Sequence, residues 1–227
     1  MELENIGGET LKSKDSEKLL GLQISGSLNF KCHVDKLCNT LKQRLGILRR
    51  IKYKINHDKL QVVAEAIFTS KLRYGLAVYG RPILETSEPR GKDMKRLQVL
   101  QNDMLRVVYG LKRSQHVNMD RLRNEKRQMS VNQLTVYHVA LETRNIIWNN
   151  SSEELRKRML KKEGSYNLRS DERQDLVIPP KPKKSCTGFS YTGARVWDRI
   201  PSNIRNNPKC DTFKSVLKEW ILTNIPS

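Results

Sequence analysis

Apolar positions along this chain recur with two periods. Leu20, Leu22 and Ile24 alternate with Gly21 and Gln23, the period of a half-buried strand. Ser25-Gly26-Ser27 has turn chemistry and Leu28-Asn29-Phe30 begins a return, which predicts a short hairpin. From Cys32 to Ile55 the apolar steps become three and four. Val34, Leu37, Leu41, Leu45, Leu48, Ile51 and Ile55 form one helical stripe. Asn56 stands where an N-cap opens a second helix over 57–79, with Leu60, Val63, Ala64, Ile67, Tyr74 and Val78 inward. The short connection makes the two helices antiparallel neighbours.

Arg81-Pro82 and the stretch 86–91 read as a loop. A third helix is expected over 93–109, with Met94, Leu97, Leu100, Met104, Val107 and Val108 inward and Gly110 as its stop. Residues 111–128 are basic and weakly patterned. Ser130 can cap a fourth helix that carries Leu134, Tyr137, His138, Leu141 and Trp148 on one side, and 153–162 adds a further helical piece. After Gly164 the texture turns polar, with Pro179, Pro180 and Pro182 set among Lys181, Lys183 and Lys184, an extended basic linker. A short helix over 191–199 ends at Pro201. Asp211 is placed to cap a last helix with Phe213, Val216, Leu217 and Trp220 inward. The pattern predicts a mainly α chain: a polar tail (1–16), a short β-hairpin (17–31), an antiparallel helical bundle (32–163), a basic Pro/Lys linker (164–188) and a small helical C-terminal block (189–227).

Charge changes this picture most. The 227 residues carry 43 Lys+Arg against 24 Asp+Glu, a formal charge of +19. A surplus of that size favours a polyanionic partner, nucleic acid before an anionic membrane surface. Hydrophobic residues make up 37%, below the usual share of about 45–50%, so the core is modest. The candidate phosphate contacts are Lys42, Arg44, Arg49, Arg50, Lys52 and Lys54 on the first helix and its exit, Lys95, Arg96 and Arg106 on the third, and Lys112 and Arg113 after it. Tyr53 and Tyr109 lie beside these runs and are candidates to stack on a base or sugar. Taken one at a time, each cation is more often part of a solvated helix face; the surplus of the whole set favours a polyanion.

No catalytic constellation is visible. A polymerase holds divalent metals on two or three aspartates, and this sequence has no adjacent Asp pair. It has no phosphate-binding lysine loop, no dinucleotide fingerprint and no zinc-protease motif. His33, His57, His116 and His138 are isolated and read as surface or core histidines. Cys32, Cys38, Cys186 and Cys210 fit no zinc module, so neither metal nor other cofactor is expected. The opening residues lack the order of a signal peptide, and no apolar run approaches the ~20 residues of a membrane span. The chain is therefore expected inside the cell, in nucleus or cytoplasm, with reduced thiols and no membrane partner.

Several phrases resemble non-LTR, LINE-type retrotransposon reverse transcriptases of the jockey-like group. Glu17 through Ile24, then Leu28-Asn29-Phe30 and His33-Val34, is similar to the stretch where that family passes from the catalytic palm into the thumb. Leu45-Gly46-Ile47-Leu48-Arg49-Arg50 resembles its leucine-glycine helix. Leu72-Arg73-Tyr74-Gly75 ends a segment similar to its next helix, with Ser70 or a neighbour in place of the family's proline. Leu97-Gln98 through Leu105-Arg106 resembles a third. Asn167-Leu168-Arg169, Phe189-Ser190-Tyr191, Ala194-Arg195-Val196-Trp197-Asp198, Ile200-Pro201, Ile204-Arg205, Phe213-Lys214 and Leu217-Lys218 match its tail; Asp198 replaces the usual Asn and Ile200 the usual Leu. Together they cover residues 17–222.

The family's thumb helices hold the primer–template duplex as element RNA is copied into DNA. Its catalytic aspartates, fingers, palm and endonuclease precede the region matched here. The resemblance therefore implies a truncated, thumb-like piece of an RNA-directed DNA polymerase. Alone it is expected to be non-catalytic, to bind RNA–DNA hybrid or duplex without sequence preference, to take the parent palm domain as partner, and to self-associate through apolar residues such as Leu20, Leu22 and Ile24. The alternative is a domesticated protein–protein interaction module or an inactive relic.

Overall fold

The computed structural model describes residues 3–4, 10–11, 15–27, 29–112, 114–149, 151–159, 176 and 188–227. The protein is mainly helical with a short antiparallel hairpin near its start. Strands β1 (Leu3–Glu4) and β2 (Thr10–Leu11) pair within the stretch read as a plain polar tail. The hairpin itself is β3 (Ser16–Leu19) against β4 (Leu22–Ser25). Its turn is Leu20-Gly21, not the expected Ser25-Gly26-Ser27. Both turn residues have positive φ, 45° and 81°, as two-residue turns that follow strand twist require. Leu20 therefore stands out at the tip, 84% exposed, while Leu22 is buried and Ile24 half-buried.

Helix α1 (Lys31–Ile51) buries the predicted stripe of Val34, Leu37, Leu41, Leu45 and Leu48. Asn56 then caps α2 (His57–Ala64) by accepting the Lys59 N–H. The second helix departs from the expected single rod. After α2 comes a π-helical turn (Glu65–Thr69), then α3 (Ser70–Arg73), a break at Tyr74-Gly75, and α4 (Leu76–Tyr79). Among its buried positions, Leu60, Ala64, Phe68, Leu72 and Leu76 recur at every fourth residue, with Thr69 and Tyr79 buried beside them. At about 3.6 residues per turn such a spacing rotates steadily away from the core, and the wider π turn takes up part of that drift. Tyr74 and Val78, expected inward, are exposed instead. Gly75 adopts φ +68° and a Cβ there would lie 2.6 Å from Leu22 Cδ2, so the break is also the seat of the hairpin. The Tyr74 hydroxyl donates to the Leu20 carbonyl at 2.6 Å and fastens the hairpin tip.

Helix α5 (Lys92–Val108) packs on α1 and α2. Arg96 near its start reaches Asp35 near the start of α1, and Tyr109 just past its end meets His57 at the start of α2. Helices α1 and α5 therefore point the same way, with α2 returning beside them. Helix α6 (Met119–Glu125), capped by Asn118, orders part of the weakly patterned basic stretch.

Helix α7 (Val131–Trp148) opens on the expected Ser130, which forms a full capping box with Gln133. It does not have the one apolar side anticipated. Val131, Leu134, Val136, Val139, Ala140, Thr143 and Ile146 are buried around most of its circumference, whereas Tyr137, His138 and Leu141 are half-buried and Trp148 is 38% exposed. Two apolar clusters explain this. Val131 and Leu134 join the core of α1–α5; Val136, Val139, Ala140 and Ile146 join a second core. That second core comes from α8 (Glu153–Arg158), α9 (Phe189–Arg199), α10 (Ser202–Arg205) and α11 (Cys210–Asn224), with Trp197, Ile200, Phe213, Leu217 and Ile221 at its centre. In α11, Phe213 and Leu217 point inward as expected, Ile221 joins them, and Val216 is exposed. Asp211 lies in the first turn of α11 without capping it; Lys209 is the N-cap residue. Apart from Leu176 and Gly188, the basic linker lies outside the described residues, as do Arg113 and Cys186.

Trp197 is fully buried, 6.1 Å from the Phe213 ring. Trp197→Ala is expected to lower unfolding free energy by about 3–5 kcal/mol through reduced burial and a cavity. Trp148→Ala, at the 38%-exposed end of α7 and outside the buried core, should cost clearly less, about 1–2 kcal/mol. Urea denaturation of both variants checks the contrast, and equal losses would refute the second core.

Candidate nucleic-acid interface

The candidate cations divide once their partners are seen. Arg44 donates to the Ile67 carbonyl across α1 and the π turn. Arg106 donates to the carbonyls of Lys112 and Gln115, both at 3.0 Å, and closes the loop after α5. Arg96 pairs with Asp35 at 2.6 Å, and that hydrogen bond holds its guanidinium more firmly protonated than usual. These three have structural work within the fold.

Lys42, Arg49, Arg50, Lys54, Lys95 and Lys112 are exposed, and Lys52 is half-buried. They do not share one face. Lys95 sits near the start of α5 and Lys42 midway along α1, both away from the arginine pair at the α1 exit. The structure gathers the others at one pole of the bundle. Arg49 and Arg50 occupy the last turn of α1; Lys52, Tyr53 and Lys54 form the turn into α2; Lys112 follows the end of α5. At the same pole the Tyr109 ring lies 5.3 Å from the His57 ring and 5.3 Å from Lys126 Nζ. Lys126, which lies in the basic run from Lys112 through Arg127 expected to contact phosphates, thus joins the pole. Tyr109 is partly enclosed, and burial raises its hydroxyl pKa. Tyr53 is 83% exposed, with Lys52 Nζ 4.7 Å from its ring centroid. Asp58, beside His57 at 3.5 Å, contributes a carboxylate to this pole.

The cations that sequence reasoning could not sort are those the fold consumes. Arg144 is buried, donates to the carbonyls of Asn207 (3.1 Å) and Pro208 (2.9 Å), and lies over the Phe213 and Trp148 rings. Arg123 is buried against Asp120 and donates to Asn102 at 2.6 Å. Burial is the main influence on Arg123 and lowers its pKa, opposed by the Asp120 carboxylate. Arg195 pairs with Glu88 at 2.9 Å. A one-dimensional pattern marks such residues only as charged.

A separate cleft of about 640 Å³ opens between the hairpin, the 75–80 segment, α7 and α9. Ile24, Phe30, Val78 and Phe189 make it apolar, and Arg73, His138 and Glu142 are its charged or titratable side chains. Arg73 is already bridged to Glu65 at 2.8 Å. His138 Nε2 is buried without a hydrogen-bond partner, and burial, aided by the Arg73 charge, pushes the imidazole pKa down to about 4. His33 is likewise lowered, first by burial and then by Lys71; its Nδ1 accepts the Gln23 N–H at 3.5 Å, and its ring packs 5.0 Å from Tyr79. Among the described residues, Cys32 is exposed and Cys38 buried, and no group of three His, Cys, Asp or Glu side chains is arranged to hold a metal ion. No described helix is long and apolar enough to cross a membrane. No family model, curated protein or solved structure matches this chain.

The buried imidazoles set a pH dependence. For His138 the folded pKa is about 4, against 6.5 for the ordinary group. Between those values the unfolded chain holds the proton and the folded chain does not, so stability is full above pH 6.5 and falls as pH drops toward 4. The loss from His138 is at most about 3 kcal/mol, and less in proportion to the ring's solvent contact. Urea unfolding from pH 7 to 4 should show a shallower decline for His138→Gln than for the parent, with His33 supplying part of the remaining slope. Parallel curves would place His138 in solvent.

Proposed function

We propose that this chain acts as a thumb-like, non-catalytic nucleic-acid-binding segment of a LINE-type reverse transcriptase, gripping RNA–DNA hybrid or duplex through phosphates without reading sequence. The observation that carries the reading is the basic pole, where Arg49, Arg50, Lys52, Lys54, Lys112 and Lys126 converge from three separate stretches of chain. A surface of cations without a fixed hydrogen-bonding pattern recognises backbone charge rather than base edges. The formal charge of +19 adds long-range attraction for any polyanion.

The exposed hairpin tip supports a second element of this reading. Leu19 and Leu20 are exposed and Ile24 faces the apolar cleft, a surface suited to another apolar surface such as a parent palm domain. The same feature favours the alternative of a protein–protein interaction module.

Hybrid affinity should fall steeply with salt, log K declining linearly with log salt concentration as counterions are released. Replacing Arg49, Arg50, Lys52 and Lys54 with Gln should reduce that slope by roughly one for each phosphate that is no longer neutralised. Lys157 and Lys214, ion-paired elsewhere, serve as controls whose replacement should leave the slope unchanged. Fluorescence anisotropy on an RNA–DNA hybrid measures it, and a flat salt response would remove the phosphate-binding reading. In size-exclusion chromatography at moderate salt, the parent chain should elute above its monomer mass and Leu19→Glu/Leu20→Glu nearer to it; a monodisperse parent monomer would exclude the apolar self-association.

A further inference from the structure

At the basic pole, residues 52–54 turn the chain between α1 and α2, with the Lys54 N–H donating to the Ile51 carbonyl at 2.8 Å. Ile51 and Ile55, on either side of this turn, pack against the core. Tyr53 lies between them at the apex and is thrown outward, 83% exposed. Other tyrosines are held more closely: Tyr79 is buried, its hydroxyl donating to the Leu72 carbonyl at 2.7 Å, Tyr109 is partly enclosed by His57 and Lys126, and the half-exposed Tyr74 is fastened through its hydroxyl to the Leu20 carbonyl. Among the described residues of this pole, Tyr53 is the one that offers most of a flat aromatic surface to solvent. It is bracketed in sequence by Lys52 and Lys54 and preceded by Arg49 and Arg50.

A flat ring set among cations has a definite complement. Lysines and arginines attract backbone phosphates, and the ring takes the face of a base that is not already stacked. A base inside a continuous duplex has both faces covered by its neighbours. An unpaired base, at a strand end or in a single strand, leaves one free.

We propose that the apex of the α1–α2 turn is a stacking platform for an unpaired nucleobase, with Tyr53 as the platform, Lys52 over one face of its ring, and Arg49, Arg50 and Lys54 holding the flanking phosphates. The proposal rests on the nucleic-acid reading above and narrows it to strands that present an unstacked base. Because every base has a π face, the platform tolerates sequence while still distinguishing a strand with bases from one without.

The test uses the full chain and three labelled probes: a short oligothymidylate, the same backbone with abasic sites in place of the bases, and a blunt duplex. Tyr53→Ala is expected to weaken oligothymidylate binding roughly 5- to 150-fold, the range set by loss of one base–aromatic stack. It should leave the abasic and blunt-duplex affinities within about twofold, since the cations remain. Tyr53→Trp should restore oligothymidylate binding. Should the parent bind all three probes with steep salt dependence while Tyr53→Ala changes none of them, the platform is wrong and the phosphate reading stands. Should the parent bind no probe at low salt, the nucleic-acid reading itself falls, and the platform with it.

Discussion

Helix α7 is the constraint on which the rest of the structure depends. It closes the core of α1–α5 at its start and forms the floor of the core built by α8–α11 along the rest of its length. A helix enclosed this way has little solvent for its polar side chains, and a buried polar group without a partner is costly. Its polar residues are therefore turned into fasteners. The Asn132 side chain accepts from the Ile83 N–H and donates to the carbonyls of Ile83 and Pro226. Gln133 closes the capping box and donates to the Ile225 carbonyl at 2.9 Å. Thr135 and Thr143 return their hydroxyls to carbonyls one turn back. Through two neighbouring amides, the start of α7 holds the 80–84 segment and the C-terminal residues at once.

The first turn of α7 is tied to the opposite side as well. Val131 N–H donates to Gln98, and Gln101 on α5 donates to the Met129 carbonyl. These bonds span long separations in sequence and none is an ion pair, so ionic strength should scarcely weaken them. This matters for a chain of such high charge. A surplus of cations repels itself and destabilises the compact state; the start of α7 joins the two cores through neutral hydrogen bonds and apolar packing, and the ion pairs Arg127–Glu219 and Arg195–Glu88 add to that junction from either side.

Much of this was legible before the structure. The stripe of α1, Asn56 and Ser130 as caps, and the strand period near Leu22 all depend on neighbours in sequence, which a linear pattern records. What escaped it came from three-dimensional context. The break at Gly75 is fixed by the hairpin that lands on it. The π turn is visible only as a four-residue spacing that outlasts what a straight helix allows. The all-round burial of α7 was hidden because Asn132, Gln133, Thr135 and Arg144 look like a solvent face until their carbonyl partners are known. Among the cations, Arg44 and Arg106 matched the expected pattern in sequence, yet their partners are carbonyls of the chain itself.

The pole has to be weighed against what the fold alone would ask for. Cations in the last turn of a helix interact favourably with its exposed carbonyls and its dipole, and that accounts for Arg49 and Arg50 at the end of α1 without any ligand. It accounts equally for Lys126, the residue that ends α6, but not for Lys54 and Tyr53, which lie past α1, or for Lys112, brought in by another stretch of chain. A turn between two helices needs residues that tolerate solvent, and small polar side chains and glycine are the usual ones to meet that need. An exposed ring and converging cations at a turn exceed the demands of the local geometry, and this pairing of flat apolar surface with positive charge is what the proposed nucleobase platform rests on.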